Sequence, residues 1–243
     1  MTSIRVAAQA QSSSHIYFRI TLFVLAALLA THCTWLLLAE FSRPRLDGLP
    51  LDAASAAAAS KERDPALWAA SIGAIRGDLW AVSAFTYAGL AIGDNGAGTR
   101  SATDPAVARL RASVEHALDT APTQSAVWLL RTSFALRYPS ESWIPLEALR
   151  MAYYTGPSDQ DIVPLRLRLA AQTDGFNDVE IQEFATRDIR MLLMTKQYSA
   201  IAVAREAASN AGRQFIEHTV HDIDPSALEN ISSPSPKAQP LPD

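Results

Sequence analysis

The sequence predicts a mainly α-helical protein in which one transmembrane helix near the N-terminus carries a helical domain. Three observations predict it: an uncharged apolar run of about 19 residues, apolar residues recurring at helical spacing through most of the remaining chain, and a composition rich in alanine, a strong helix former. Of the 243 residues, 49% are apolar. Setting aside the anchor and the polar ends leaves roughly 150 residues, enough for one modest core.

The anchor comes first. The run that starts at Ile20 and ends at Leu38 reads ITLFVLAALLATHCTWLLL and carries no formal charge. At 1.5 Å rise per residue it matches the hydrocarbon thickness of a bilayer. Its Thr21, Thr31 and Thr34 are tolerable because a threonine hydroxyl bonds back to its own helix, and a neutral His32 is cheaper than a charge. Arg19 marks one end of the run, and Glu40, Arg43, Pro44 and Arg45 mark the other. A cleaved signal peptide is the competing reading, since Arg5 and Arg19 make a basic leader. The run is too long for that, and no small-x-small cleavage site precedes Glu40. The single cysteine, Cys33, follows His32 and precedes an apolar stretch, so it does not fit a lipid-attachment signal and permits no internal disulfide.

Arginine counts are balanced across the anchor, with Arg5 and Arg19 before it and Arg43 and Arg45 after it. The amino terminus adds a charge to the first side, so the N-tail is expected in the cytoplasm and the C-terminal domain outside it. In a bacterium this is a single-pass inner-membrane protein with a periplasmic domain.

Five segments follow: an N-terminal tail at 1–19, the transmembrane helix at 20–39, a linker at 40–63, the helical domain at 64–229, and a Pro/Ser-rich disordered tail at 230–243. The linker is rich in Pro, Ala and Ser, although its AASAAAASKER stretch becomes helical if something packs on it. The tail has too few apolar residues to offset the entropy of ordering.

Within the domain, Asp64-Pro65 and Asp104-Pro105 are helix starts, each a capping carboxylate before a first-turn proline. Leu67, Trp68, Ile72 and Ile75 follow the first, then Leu79, Trp80, Ala84 and Tyr87 after a break at Arg76-Gly77-Asp78. Val107, Leu110, Val114, Ala117 and Leu118 form one face of the next helix. Further faces carry Val127, Leu130, Phe134 and Tyr138, then Leu146, Leu149 and Tyr153, and later Ile181, Phe184, Ile189, Leu192, Tyr198, Ile201 and Ala202. One segment departs from this pattern. Val163, Leu165, Leu167 and Leu169 alternate with Pro164, Arg166 and Arg168, which is strand periodicity. Pro164 and the lack of a partner strand favour a helix there.

Short helices between proline-marked turns resemble the tetratricopeptide-repeat family. Ala117 and Pro122 stand at that family's spacing, Trp128 falls where the next repeat places a large aromatic, and Trp80 and Tyr87 keep its seven-residue aromatic spacing. Arg131 and Thr132 replace the family's leucine and glycine, and Trp80 to Trp128 is 48 residues against the family's 34, with GDNGAGTRSATD from Gly93 as the inserted loop. The resemblance covers about 90 residues and implies antiparallel helix hairpins that grip another protein. The run ALRMAYYTGPSDQDIVPLRLRLAAQTD resembles single-span bacterial proteins that accompany envelope polysaccharide assembly or export.

Function classes narrow accordingly. A net charge of −4 without a basic stripe argues against nucleic acid. His218 and His221, beside Glu217 and Asp222, offer two metal ligands at best and lack the His-Glu-x-x-His spacing of zinc peptidases. Gly93 and Gly98 precede Thr99 as in a phosphate-binding loop, but the lysine is missing and no strand leads into it. His116 reads as a boundary residue, and Asn230-Ile231-Ser232 as a glycosylation sequon only in a eukaryote. No catalytic, cofactor or metal residue is nominated. The expectation is a membrane-anchored adaptor, not an enzyme, that meets the bilayer through its apolar run and other envelope proteins through its domain. Tyr153, Tyr154, Arg166 and Arg168 are the candidate partner-binding residues, because tyrosine and arginine are favoured interface anchors. The alternative is an enzyme or metal-binding protein whose site does not show in the sequence.

Overall fold

A computed structural model describes residues 2–46, 48–92, 101, 103–139 and 143–232, with the backbone alone for 2–16 and 232. The glycine-rich stretch 93–100, with the phosphate-loop resemblance, lies outside the described residues, as does the tail from 233 onward.

The first helix, α1, runs unbroken over Thr2–Phe41. Its segment Tyr17–Phe41 is long and apolar enough to cross a membrane and is only 6% buried against the rest of the chain. The hydroxyls of Thr21, Thr31 and Thr34 donate to the carbonyls of Tyr17, Ala27 and Ala30 at 2.8–2.9 Å, so each hydroxyl is satisfied within its own helix.

The segment that follows is packed on the domain. Asp52 caps α2 (Ala53–Ala59) through a capping box with Ser55, and Ala56 and Ala59 are buried. Leu49 packs against both main core clusters. The packing supplies what alanine alone cannot, since an isolated seven-residue helix is not stable in water.

Ten further helices follow among the described residues: α3 (Arg63–Ile72), α4 (Gly77–Phe85), α5 (Pro105–Thr120), α6 (Ser125–Arg137), α7 (Pro145–Thr155), α8 (Val163–Gln172), α9 (Val179–Met194), α10 (Tyr198–Ala207), α11 (Asn210–Ile223) and α12 (Ala227–Ser232). No strand occurs among the described residues. Asp104 caps α5 with Pro105 behind it, as the sequence predicts, and Asp178 caps α9 by accepting from the backbone of Glu180 and Ile181. Asn230, Ile231 and Ser232, assigned from sequence to the tail, belong to α12, where Ile231 is buried.

α4 packs on α5 and α6 packs on α7, while α4 also touches α6, α6 touches α8, and α8 touches α10. Each of the first two pairs meets end to start. A Cβ on Gly77, the first residue of α4, would lie 2.5 Å from the Ala121 methyl just after α5. One on Gly156, just after α7, would lie 2.4 Å from the Cβ of Ser125, the first residue of α6. Only glycine lets the backbone come this close.

A second device recurs. The fourth residue of α4, Trp80, donates its indole N–H to the Ala74 carbonyl six residues back at 3.0 Å. Trp128, the fourth residue of α6, does the same to Pro122 at 2.7 Å, and Gln182, the fourth residue of α9, donates its amide to Phe176 at 2.6 Å. Each bond ties the second turn of a helix to the connection that feeds it, fixing the entry angle of the chain.

α8 explains its own alternating sequence. It is a helix beginning with Pro164 in its first turn, and Val163, Leu165, Leu167 and Leu169 are all buried together with Arg166 and Ala170. Contacts with α6, α7, α9 and α10 surround it. A helix enclosed on nearly every side shows no single apolar stripe, so its periodicity misleads.

Candidate partner-binding face

The four sequence-nominated residues separate into core and surface. Tyr153 and Arg166 are 2% and 1% exposed, so neither side chain meets a partner on the folded surface. Arg166 donates through Nε and Nη2 to the two oxygens of Asp188 on α9 at 2.8 and 2.5 Å, and through Nη1 to the Gly156 carbonyl at 2.5 Å. Its guanidinium also lies 4.6 Å from the centre of the Tyr153 ring, which stacks on Phe184. The Tyr153 hydroxyl is buried beside Asp188 without a hydrogen bond of its own. Burial pushes that phenol well above its ordinary pKa, so it stays protonated. Burial likewise raises the Asp188 carboxyl, an effect that the hydrogen bonds and charge of Arg166 only partly offset. These groups pin α7, α8 and α9 together.

Tyr154 and Arg168 do reach the surface. Arg168 is partly buried and lines a cleft of about 380 Å³ between Leu51 and the α8 and α10 side chains Leu165, Ala200 and Val203. Tyr154 is half exposed, and its hydroxyl donates to Glu180 at 2.5 Å. Arg150, one turn earlier on α7, bridges Asp178 at 2.8 Å and Glu180 at 3.0 Å. The backbone N–H of Ile181, foremost, and then the Arg150 guanidinium hold the Asp178 carboxyl below its ordinary range.

A second group, not nominated from sequence, continues this face. Glu147, Met151 and Tyr154 fall at i, i+4 and i+7 along α7, on one side of the helix. Glu147 and Met151 line a cleft of about 160 Å³ with Trp128 and Arg131 of α6 and the half-exposed Ile144. The Arg131 guanidinium stands 5.2 Å from the Trp128 ring and 4.8 Å from the Trp143 ring, and its Nε is buried without a hydrogen-bond partner. Burial lowers its pKa, against the opposing charges of Glu115 and Glu147. Arg111 of α5 faces Trp143 and Phe134 from the other side, at 5.3 and 5.6 Å. The result is a notch lined by Trp128, Arg131, Ile144, Glu147 and Met151, with Trp143 buried beside the arginine.

The remaining candidates are ordinary surface groups. His218 pairs with Asp222 one turn on at 2.8 Å, both exposed, and His116 stacks on Trp80 with ring centres 4.6 Å apart. Among the described residues no group of three or more His, Cys, Asp or Glu side chains is placed to hold a metal ion. Asp188 had a readable signal that the sequence reading passed over. It occupies the i+7 position after Ile181 and Ala185 on the buried stripe of α9, where an acid implies a buried partner.

No protein-family model, curated protein or solved structure matches this chain. Fold and surface together define a class: an all-helical domain carried on an N-terminal helix long and apolar enough to cross a membrane.

Proposed function

We propose that this is a single-span membrane adaptor whose helical domain holds partner proteins on the α6–α7 face. The observation that carries the reading is the notch of Trp128, Arg131, Ile144, Glu147 and Met151, continued by the half-exposed Tyr154: partly exposed tryptophan and arginine side chains around a concavity, residue types favoured at interface hot spots. Arg131 lines the notch with its guanidinium beside the Trp128 and Trp143 rings, a positive charge that a partner's carboxylate would meet. The end-to-start pairing of α4 with α5 and of α6 with α7, and the repeated fourth-residue bond, support a stack of antiparallel hairpins of the tetratricopeptide kind. The setting we assign is the bacterial inner membrane with the domain in the periplasm, serving envelope polysaccharide assembly or export. It rests on the arginine balance and on the resemblance of residues 148–174.

The test is a photoreactive residue at Met151 in the full chain, expressed in cells. A discrete protein adduct should form there, and Tyr154→Ala or Arg131→Gln should abolish it while the helical circular-dichroism spectrum is kept. Adducts that survive both substitutions would place the partner elsewhere and overturn this assignment of the face.

A further inference from the structure

The last turns of α1 do not leave the membrane region alone. Trp35 donates its indole N–H to the carbonyl of Ile72, the last residue of α3, at 2.6 Å. Ala39, four residues further, is fully buried in a cluster with Ala69 and Ala70 of α3 and Leu79 of α4. A Cβ on Gly73 would lie 3.6 Å from the Ala39 methyl. α3 therefore lies alongside the C-terminal end of the apolar span.

Depth follows from the helix itself. Tyr17 and Trp35 are 18 residues apart, about 27 Å of helix, close to the roughly 30 Å of a hydrocarbon core. Tyrosine and tryptophan favour the two edges of that core. With Trp35 at one edge, the Ile72 carbonyl bonded to it sits at the same depth. Any placement that covers the whole segment Tyr17–Phe41 puts Ile72 deeper still, about 9 Å inside the final residue.

Apolar side chains on both sides of Ile72 are uncovered. Trp68, one turn earlier on α3, is 59% exposed, and Ile75, in the turn that follows the helix after Gly73, is 82% exposed. A cavity of about 560 Å³ opens between Ile72 and the Ala30, Thr31, Thr34, Trp35 and Leu38 side chains of α1. Above this level the neighbouring charges are paired: Arg76 with Glu40 at 2.8 Å and with Asp78 at 2.6 Å, and Arg43 with Asp78 at 3.3 Å. The bond from Trp35 also satisfies a helix-end carbonyl that has no water to turn to in lipid.

We infer that α3 and the turn after it form a second membrane contact: Trp68, Ile72 and Ile75 insert into the lipid interface beside the span, with acyl chains filling the cavity under Ile72. Arg43 and Arg76 are already paired with acids of the chain, so neither is needed to recruit anionic lipid. The inference rests on α1 being a membrane span, and the test separates the two. The full chain with Cys33→Ser carries one bimane-labelled cysteine at a time, in phosphatidylcholine vesicles containing a nitroxide lipid labelled high on the acyl chain or near its midpoint. Leu25→Cys should lose most of its fluorescence to the mid-chain nitroxide. Ile75→Cys and Trp68→Cys should lose most of theirs to the high nitroxide and less to the other. Val203→Cys, on α10, should be quenched by neither. If Leu25→Cys is quenched while Trp68→Cys and Ile75→Cys both behave like Val203→Cys, the second contact is wrong and the span stands. If Leu25→Cys is not quenched, the span fails and the contact fails with it.

Discussion

Arg166 on α8 and Asp188 on α9 form a two-point ion pair in which both side chains are 1% exposed. An arginine in that position is held by three hydrogen bonds and a ring, so removing one partner strands a charge in the core. Asp188→Ala should lower unfolding stability by about 3–5 kcal/mol, whereas Arg166→Met combined with Asp188→Leu should lose far less than that. Urea unfolding of the full chain in detergent, followed by circular dichroism, checks both values. A double variant as unstable as Asp188→Ala would show that the pair contributes more than its own desolvation.

Gly156 closes the α6–α7 pair. Gly156→Ala would drive its Cβ to 2.4 Å from the Ser125 side chain and disturb the carbonyl that Arg166 uses. The expected loss is about 1–3 kcal/mol from overpacking. Ser125→Gly in the same chain should recover part of it, because it removes the atoms that clash, and the same unfolding measurement reads the recovery.

The repeated side-chain bond to the preceding connection can be tested by substitutions that remove the hydrogen-bonding atom. Trp128→Phe keeps an aromatic ring and loses the hydrogen bond to Pro122, so it should destabilise by about 1 kcal/mol. Gln182→Leu should do the same at the start of α9. Faster amide exchange in the first turn of the affected helix, with the rest unchanged, is the accompanying signature.

Asp178 sets a pH dependence. Its native pKa lies below the ordinary 3.8, chiefly because the backbone of Ile181 donates to it. A carboxyl depressed in the native state contributes stability that is complete above 3.8 and is lost as pH falls through the native value. Thermal melts should therefore drop in that acid window in the parent chain, and less steeply in Asp178→Asn, which keeps a capping oxygen but no titrating group.

The Tyr17–Phe41 segment is long and apolar enough to cross a membrane, and the proposed span makes a biochemical prediction. Carbonate and high-salt washing should leave the protein in the pellet, since neither removes apolar burial. A soluble species beginning near Glu40 would instead identify a cleaved signal.

Much of the fold is legible because its signals are local. Asp104-Pro105, the apolar run from Ile20 and the stripe through Leu110, Val114 and Ala117 each specify an element within a few residues. The α8 segment is harder, since burial on nearly every side erases periodicity, and only Pro164 and the lack of a partner strand argue against a strand. Tyr153 and Arg166 carry the residue types of an interface but spend them on the interior, and no spacing rule distinguishes these uses without Asp188, 22 residues away. The notch is less legible still. Trp128, Arg131, Glu147 and Met151 come together only because α7 folds back on α6, a pairing that depends on Gly156 meeting Ser125.

α1 is one helix from Thr2 to Phe41, a rod of about 60 Å, of which a bilayer occupies roughly half. Its last turns are fastened to α3 through Trp35 and Ala39, and Arg76 and Asp78 clamp the end. The end of the rod and α3 are thus joined by side-chain contacts, and with the proposed span in place the bilayer would act as a fulcrum: a sideways pull on the N-terminal end would swing the domain on the other side. Bilayer thickness, which biases the tilt of a spanning helix, would then set the angle at which the proposed α6–α7 face is presented.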